Sequence, residues 1–356
     1  MIEVEGRTRT RIVGCILGTA VGDAMGLPYE GLSRRRAAKL LGQPERYRFF
    51  FGRGMVSDDT EHTCMVAQSL IASGGDIDAF RRYLGWRFRF WLLSLPAGIG
   101  LATLRSIVRL WIGFGPDKSG VFSAGNGPAM RAAILGATID NPQSLRELVR
   151  ASTRITHTDP KAEYGAFAVA LAAQLTHQHD SVSGAQFLKR LRSYLGGEAE
   201  ELISLIKGVA DTANDGQSTE AFSDSIGLTK GVSGYVYHSV PVAIHAWLTH
   251  PRDIRSAVAE VIRCGGDTDS TAAIVGGIVG AAVGKEGIPD DWLDNLFEWP
   301  RSVSWMKRLG AQLDSGRHSV TKVDPIKLPV WGLFPRNVFF MLVVLYHGFR
   351  RMFPPY

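Results

Sequence analysis

Two short acidic segments hold the residues best placed to do chemistry in this chain. Ser57-Asp58-Asp59-Thr60 and Gly265-Gly266-Asp267-Thr268-Asp269-Ser270 each set two carboxylates beside hydroxyls, just ahead of a helical stretch. Carboxylates packed that closely repel one another unless a cation lies between them. Helix capping is the plainer use of such residues, since Ser and Asp are favoured N-caps and acids suit the positive end of a helix. A cap uses one side chain, however, and each segment supplies more than one. If folding closes the roughly two hundred residues between them, the segments form an all-oxygen site for two hard divalent cations. Magnesium or manganese suits carboxylate, hydroxyl and water ligands. Zinc does not, because no His or Cys set has ligand spacing.

Three further segments are candidates. Gly22-Asp23-Ala24-Met25-Gly26-Leu27-Pro28-Tyr29-Glu30 ends a helix with Gly and Pro and offers Glu30 on a loop, although a surface Glu is commonplace. Gly125-Asn126-Gly127-Pro128-Ala129-Met130-Arg131 permits close backbone approach. Its N–H groups are expected to open a helix over Gly127–Leu135, which would make a phosphate cradle, although such turns are frequent. Thr156-His157-Thr158-Asp159-Pro160 places a His before a helix begun by Pro, and a single His is more often structural.

Helices must position these segments. Apolar residues recur at three and four positions over Arg11–Ala24, Glu61–Ser73, Ile77–Trp91, Gln143–Thr153, Pro160–Gln178 and Gly184–Leu195. The same spacing continues over Ala199–Ala213, Val240–Leu248, Ile254–Cys264, Thr271–Val283 and Trp292–Leu296. Strand-type alternation is scarce, and no fixed-period repeat suggests a solenoid. Gly14, Gly18 and Gly22 on one helix, and Gly276, Gly277, Gly280 and Gly284 on another, predict close helix approach in an all-α globule. Gly lowers helix stability in isolation, so tertiary burial must hold these helices.

The 356 residues are 45% apolar and 21% charged, the balance of an ordinary folded protein. The net charge of +6 includes no run long enough for a nucleic-acid arm, so no nucleic-acid partner is expected. Cys15, Cys64 and Cys264 are odd in number and lack a CxxC, which argues for buried thiols in a reducing, cytoplasmic setting. Arg7, Arg9 and Arg11 precede an apolar stretch that Asp23 and several Gly interrupt, so a core helix and loop is expected there rather than a secretory leader. The apolar run Val338–Tyr346 is too short to span a bilayer and is followed by Arg350 and Arg351, so packing against the body or a partner is expected, with interfacial anchoring the alternative. One domain over 1–317 is expected, with a basic, aromatic tail over 318–356 that contains a short apolar helix.

GDAMGLPYE, SDDTEHT, GNGPAMRAA, THTDPKAE and GGDTDSTAAIVGGIVGA together resemble, in order, the motifs of ADP-ribosylglycohydrolases. That family includes the type that removes ADP-ribose from an arginine of dinitrogenase reductase. The resemblance covers residues ~10–300, and its most specific part is the SDDT and GGDTDS pair. It implies an orthogonal all-α fold, a two-magnesium centre (manganese possible), and hydrolysis of the bond between ADP-ribose and a protein side chain. It further implies that Ser57, Asp58 and Asp59 form one ligand set and Asp267, Asp269 and Ser270 the other. Glu30 matches a catalytic or gating acid, with Asp59 a second candidate for orienting the water. Gly125, Asn126, Gly127 and Arg131 match a segment lining the ADP-ribose cleft, and His157 a His near the metals. Gly234-Tyr235 resembles a Gly-aromatic loop under the nucleoside end, where Tyr235 would stack on adenine. Arginine-specific members often carry Asp where Pro96-Ala97-Gly98-Ile99-Gly100 places Gly98. The implied partner is an ADP-ribosylated protein, with arginine the first linkage and serine or ester linkages the alternative. A different reading is an immunity-type protein that occludes an ADP-ribosylating toxin through its basic, aromatic tail.

Overall fold

The structure is a computed structural model describing residues 2–178, 181–316 and 323–354, with the side chains of 2–9 and 177–178 outside that description. Among the described residues it is helical, with no sheet and only isolated β-bridges between loops. In chain order the helices are α1 (Ile2–Gly26), α2 (Arg34–Leu41), α3 (Asp58–Ser73), α4 (Ile77–Leu93), α5 (Leu101–Trp111) and α6 (Ala133–Thr138). Then come α7 (Pro142–Arg154), α8 (Pro160–Gln178), α9 (Gly184–Leu195), α10 (Glu200–Asn214), α11 (Thr219–Ser225) and α12 (Val236–Thr249). The chain closes with α13 (Ile254–Arg263), α14 (Thr268–Val283), α15 (Asp290–Asp294), α16 (Val303–Gly316) and α17 (Leu333–Arg350).

The centre is the antiparallel pair α1 and α14, and small residues set its spacing. A Cβ added to Gly14, Gly18, Gly22 or Gly26 would sit 2.1–2.3 Å from a backbone carbonyl of Gly280, Gly276, Ala272 or Thr268 respectively. Each helical Gly costs about 0.5–1 kcal/mol relative to Ala in propensity. Near-contact of two backbones, with α1 buried from Arg11 to Gly26, offsets that cost. The function-bearing consequence is positional. The C-terminal end of α1 lies against the N-terminal end of α14, where the second acidic segment stands.

Several elements differ from expectation. α1 runs unbroken through Asp23 to Gly26 instead of giving way to a loop. Residues 127–132 form turns, with the N–H groups of Ala129 and Met130 donating to the Asn126 carbonyl, so the helix expected from Gly127 starts at Ala133. The helices α2, α5, α11 and α16 were not anticipated. α17 is longer than the run Val338–Tyr346, and Val330–Arg350 is long and apolar enough to cross a membrane by length and composition, with a third of it buried. All three cysteines are buried and free.

The boundary expected at 317/318 lies outside the described residues, as do the side chains of Arg7 and Arg9. Beyond it, α17 packs on the body by polar anchors. Arg336 is buried and forks onto both Glu298 oxygens at 2.9 and 2.7 Å, while also donating to the Val56 carbonyl at 2.6 Å. Asn337 donates to the Ser94 carbonyl at 2.7 Å.

Candidate active site

The first acidic segment opens α3 with Ser57 as N-cap; the Ser57 hydroxyl accepts from the Asp59 N–H and lies 2.9 Å from Asp59 Oδ2. What fixes this turn is Asp23, fully buried inside α1. Its carboxylate accepts the Ser57 N–H at 2.9 and 3.0 Å, the Thr60 N–H at 3.2 Å and the Thr60 hydroxyl at 2.5 Å. Sequence reading passed over Asp23 as a site residue. The signal was a lone carboxylate inside an otherwise apolar helix, which must find donors to be buried there.

The second segment opens α14 and meets the first. The Ser270 hydroxyl donates to Asp59 Oδ2 at 3.4 Å, linking residues 211 apart in sequence. Neighbouring loops are laced to it through backbone. The Gly31 N–H donates to the Gly266 carbonyl at 2.8 Å, and the Asp267 N–H to the Val232 carbonyl at 2.8 Å. The Asn126 N–H donates to the Gly234 carbonyl at 2.9 Å, and its side-chain amide to Asp267 Oδ2 at 2.7 Å. Four remote loops, carrying Glu30, Asn126, Gly234 and Asp267, thus form one rim.

The site is electrostatically incomplete. Asp59 and Asp269 are buried, and Oδ1 of each has no hydrogen-bond partner. Burial, and then the neighbouring Asp23, Asp58 and Asp267, raise the Asp59 pKa well above the carboxylate range. Burial and then Glu30, Asp267 and Asp59 do the same for Asp269. Burial likewise lifts Asp58, with Asp23, Glu61 and Glu30 adding to the rise. It pushes Asp23 up to about 7 against the hydrogen bonds that hold it. Burial raises Asp267 as well, opposed by the Asn126 amide. Among the described residues no three Asp, Glu, His or Cys side chains close on a single point. The donors are carboxylates alternating with the hydroxyls of Ser57 and Ser270 along a seam. Hard oxygens left unpaired in a buried, mutually repelling set fit magnesium or manganese and would be costly without a cation.

Around the seam the remaining candidates divide. Glu30 stands exposed at the mouth; desolvation and then Asp267 raise its pKa, while Arg351 opposes the rise. Gly234 lies open on the rim, with room for a Cβ to lie 3.4 Å from Asp267 Oδ2. Tyr235 joins a polar aromatic cluster in which Lys161 donates to its hydroxyl at 2.9 Å and Tyr237 and His238 lie beside its ring. His157 is buried beneath the 125–127 turn, where Cβ atoms on Gly125 and Gly127 would come within 3.0 and 3.1 Å of its ring. Burial, and then Arg131, lower its pKa to about 3, so it is neutral. Arg131 is fully buried and occupied. It donates to the Gly127 carbonyl at 3.0 Å, the Ser152 hydroxyl and carbonyl at 3.1 and 3.0 Å, and the Thr156 hydroxyl at 2.8 Å. It therefore braces the turn from behind and does not reach the cleft.

The phosphate cradle expected at this turn is also different. The Gly125 N–H donates to the Ser123 hydroxyl and the Asn126 N–H to Gly234, and no helix begins there. Gly98 is exposed with φ +77, a left-handed conformation that glycine adopts without cost.

The all-α scaffold thus brings an acid-and-hydroxyl seam to the N-terminal ends of α3 and α14, inside a rim of loops. A family model for ADP-ribosylglycohydrolase matches residues 5–321, and the chain belongs to that family. It is 32% identical over 292 residues to an uncharacterized protein of Archaeoglobus fulgidus, covering 79% of this chain and 90% of the relative. It is 29% identical over 297 residues to the ADP-ribosyl-[dinitrogen reductase] glycohydrolase of Rhodospirillum rubrum, covering 80% and 90%. It is 26% identical over 333 residues to ADP-ribosylhydrolase ARH3 of Gallus gallus, covering 79% and 88%. A solved "ADP-ribosylglycohydrolase-related protein complex" superposes with a TM-score of 0.67 at 24% identity, over 88% of this chain and 99% of that one. The resemblance read from the five motifs and the all-α class are both borne out, and the chain is a hydrolase of ADP-ribosyl linkages.

Proposed function

We propose that the protein is a cytoplasmic, metal-dependent enzyme that removes ADP-ribose from a modified protein side chain, with an arginine linkage as its first substrate. The observation that carries this reading is the pair of buried, unpartnered oxygens, Asp59 Oδ1 and Asp269 Oδ1, on two segments joined by the Ser270–Asp59 contact. Ser57, Asp58 and Asp59 on one side, and Asp267, Asp269 and Ser270 on the other, would hold two Mg²⁺, or Mn²⁺. Such ions supply Lewis acidity and a water of lowered pKa.

The chain's own residues do the rest. Asp23 keeps the α3 turn in place, and Asn126 orients Asp267 by its amide. Asp59 or Glu30 orients the water that attacks the anomeric carbon and takes one of its protons, while the side-chain atom that leaves with the bonding electron pair takes up a proton, so ADP-ribose keeps the hydroxyl and the side chain is restored. Tyr235 offers a face for the adenine end. The similarity to a glycohydrolase named for dinitrogen reductase supports arginine, whereas Gly98 removes an acid that arginine-specific members often carry.

Incubation with arginine- and serine-ADP-ribosylated proteins, with Mg²⁺ and with a chelator, tests the proposal. Release of ADP-ribose from the arginine substrate, abolished by chelation, is expected. Turnover that survives chelation ends the metal reading, and release from the serine substrate alone reassigns the linkage.

A further inference from the structure

α17 is built inside out. Its inner face carries the polar anchors Arg336 and Asn337 beside Leu333, Phe340 and Val343, all buried. Its outer face carries Phe334, Val338, Met341, Leu345 and Phe349, all exposed, at the 3–4 spacing of a single helical stripe. No acid follows Asp324, while Lys327, Arg350 and Arg351 do.

Beside this helix the loop Arg48-Phe49-Phe50-Phe51-Gly52-Arg53 turns back on itself. Phe51 is 94% exposed at its apex with φ +46. Leu95 (φ +56), beside the Ser94 that Asn337 grips, is the other non-glycine residue with positive φ among the described residues, and it too is exposed. A bulky apolar side chain held in the left-handed region and presented to solvent is backbone strain that marks a functional surface. Loop and helix form one surface through Phe50 against Phe339 at 5.0 Å and Phe49 against Phe340 at 5.2 Å. Between them lies a groove of about 460 Å³, walled by phenylalanines and with Arg48 and Arg350 among its lining residues and no carboxylate.

We propose that this face docks on an anionic phospholipid bilayer. α17 lies in the plane of the interface, Phe51 inserts among the acyl chains, and Arg48, Arg53 and Arg350 meet the headgroups. Apolar stripe, basic flanks and interfacial Trp331 and Tyr346 are the chemistry of an in-plane amphipathic helix. Charge complementarity selects this occupant. A second copy would set arginines against arginines, whereas anionic lipid neutralises them. The Arg336–Glu298 pair holds α17 to the body, so the helix lies on the membrane and does not cross it. α17 starts beyond residue 321, where the family match ends, whereas the loop 48–53 lies inside it, so the surface joins a part of the family domain to a segment outside the match.

The test is co-sedimentation of the full chain with vesicles of phosphatidylglycerol and phosphatidylcholine, and of phosphatidylcholine alone. Binding to the anionic vesicles alone, weakened by salt, is expected. Phe51→Asp and Leu345→Asp should each lower the bound fraction about tenfold while keeping the wild-type melting temperature. Both side chains are exposed, and Arg48→Glu with Arg350→Glu gives a charge-based second variant that should act in the same direction. Failure to bind anionic vesicles overturns the proposal, as does binding that these substitutions leave unchanged. A soluble dimer that the same variants dissociate would assign the face to a second copy instead.

Discussion

Two buried charge clusters flank the first turn of α3, and they are built on opposite rules. On one side Glu61, Glu298, Arg301 and Arg336 form a closed set: Arg301 and the Trp91 indole donate to Glu61, and Arg336 forks onto Glu298. Two acids face two bases, and Val56 donates its N–H to Glu298 and accepts from Arg336. On the other side Asp23, Asp58, Asp59, Asp267 and Asp269 face one another without a base among them, and two oxygens have no donor. The first cluster satisfies itself and fixes the backbone leading into Ser57. The second is left short of positive charge where a ligand would supply it. Burial of charge alone therefore does not distinguish structure from function; completeness of pairing does.

The sharpest way to break this contrast is to remove one member of each cluster. Asp269→Ala should lower turnover at saturating Mg²⁺ by at least about a thousand-fold, about 4 kcal/mol of barrier. Its melting temperature in chelator should match or exceed the wild type, because an unpartnered carboxylate is gone. Arg336→Ala should do the reverse, losing about 3–5 kcal/mol in a urea melt, since Glu298 is then stranded. Adding Glu298→Met to Arg336→Met should recover part of that loss, with Val56 still lacking both partners. If Asp269→Ala proves as destabilising as Arg336→Ala, the two clusters are the same kind of object.

How much of this contrast could be read from sequence depends on which contacts are local. The acid-hydroxyl segments and the Gly repeats declare themselves within a few residues, and so did the all-α class. Asp23 did not, because its partners Ser57 and Thr60 lie more than thirty positions away. The role of Arg131 as a brace behind Gly127 was equally hidden, since a basic residue in a glycine-rich motif suggests a phosphate contact until its burial is seen. The helices α2 and α11 are short, at eight and seven residues, and only tertiary packing brings them out, whereas α5 and α16, at eleven and fourteen residues, carry an apolar face in their own sequence. α17 misled in a different manner. A search for apolar runs finds Val338–Tyr346, but the buried Arg336 that anchors the helix lies just outside that run.

Ligand binding sharpens the comparison further. Mg²⁺ should raise the wild-type melting temperature by the equivalent of about 2.7 kcal/mol at a hundred times its dissociation constant. The shift should vanish in Asp269→Ala and survive in Arg336→Ala, because only the incomplete cluster offers ligands. A scanning-fluorimetry series over metal concentration reads all three. A shift of equal size in Asp269→Ala would place the ion elsewhere.

The smallest effect comes from a third kind of buried polar group, a neutral histidine with one ring nitrogen hydrogen-bonded and the other, Nε2, without a partner. His245 is buried, stacks on Phe222, and shares a hydrogen bond with Thr219 at 3.1 Å. Burial, first, and the nearby His250 lower its pKa to about 4, outweighing the pull of Glu260. The unfolded chain takes up that proton near pH 6.5, and the folded chain does not. The unfolded state therefore binds more protons between about 6.5 and 4, so stability rises with pH across that window and is lost as pH falls through it. The contribution is about 1.4 kcal/mol for each pH unit below 6.5. His245→Gln keeps the ring's approximate size and a donor while removing the titration. Urea melts at pH 7.5 and 5.5 should then show a difference between the two pH values that is smaller in the variant by about 1.4 kcal/mol. Comparing the difference rather than either stability alone cancels the acid-site carboxylates, which titrate in both proteins alike. An unchanged difference would mean that His245 carries its proton in the folded state, and that this third region too is held by charge.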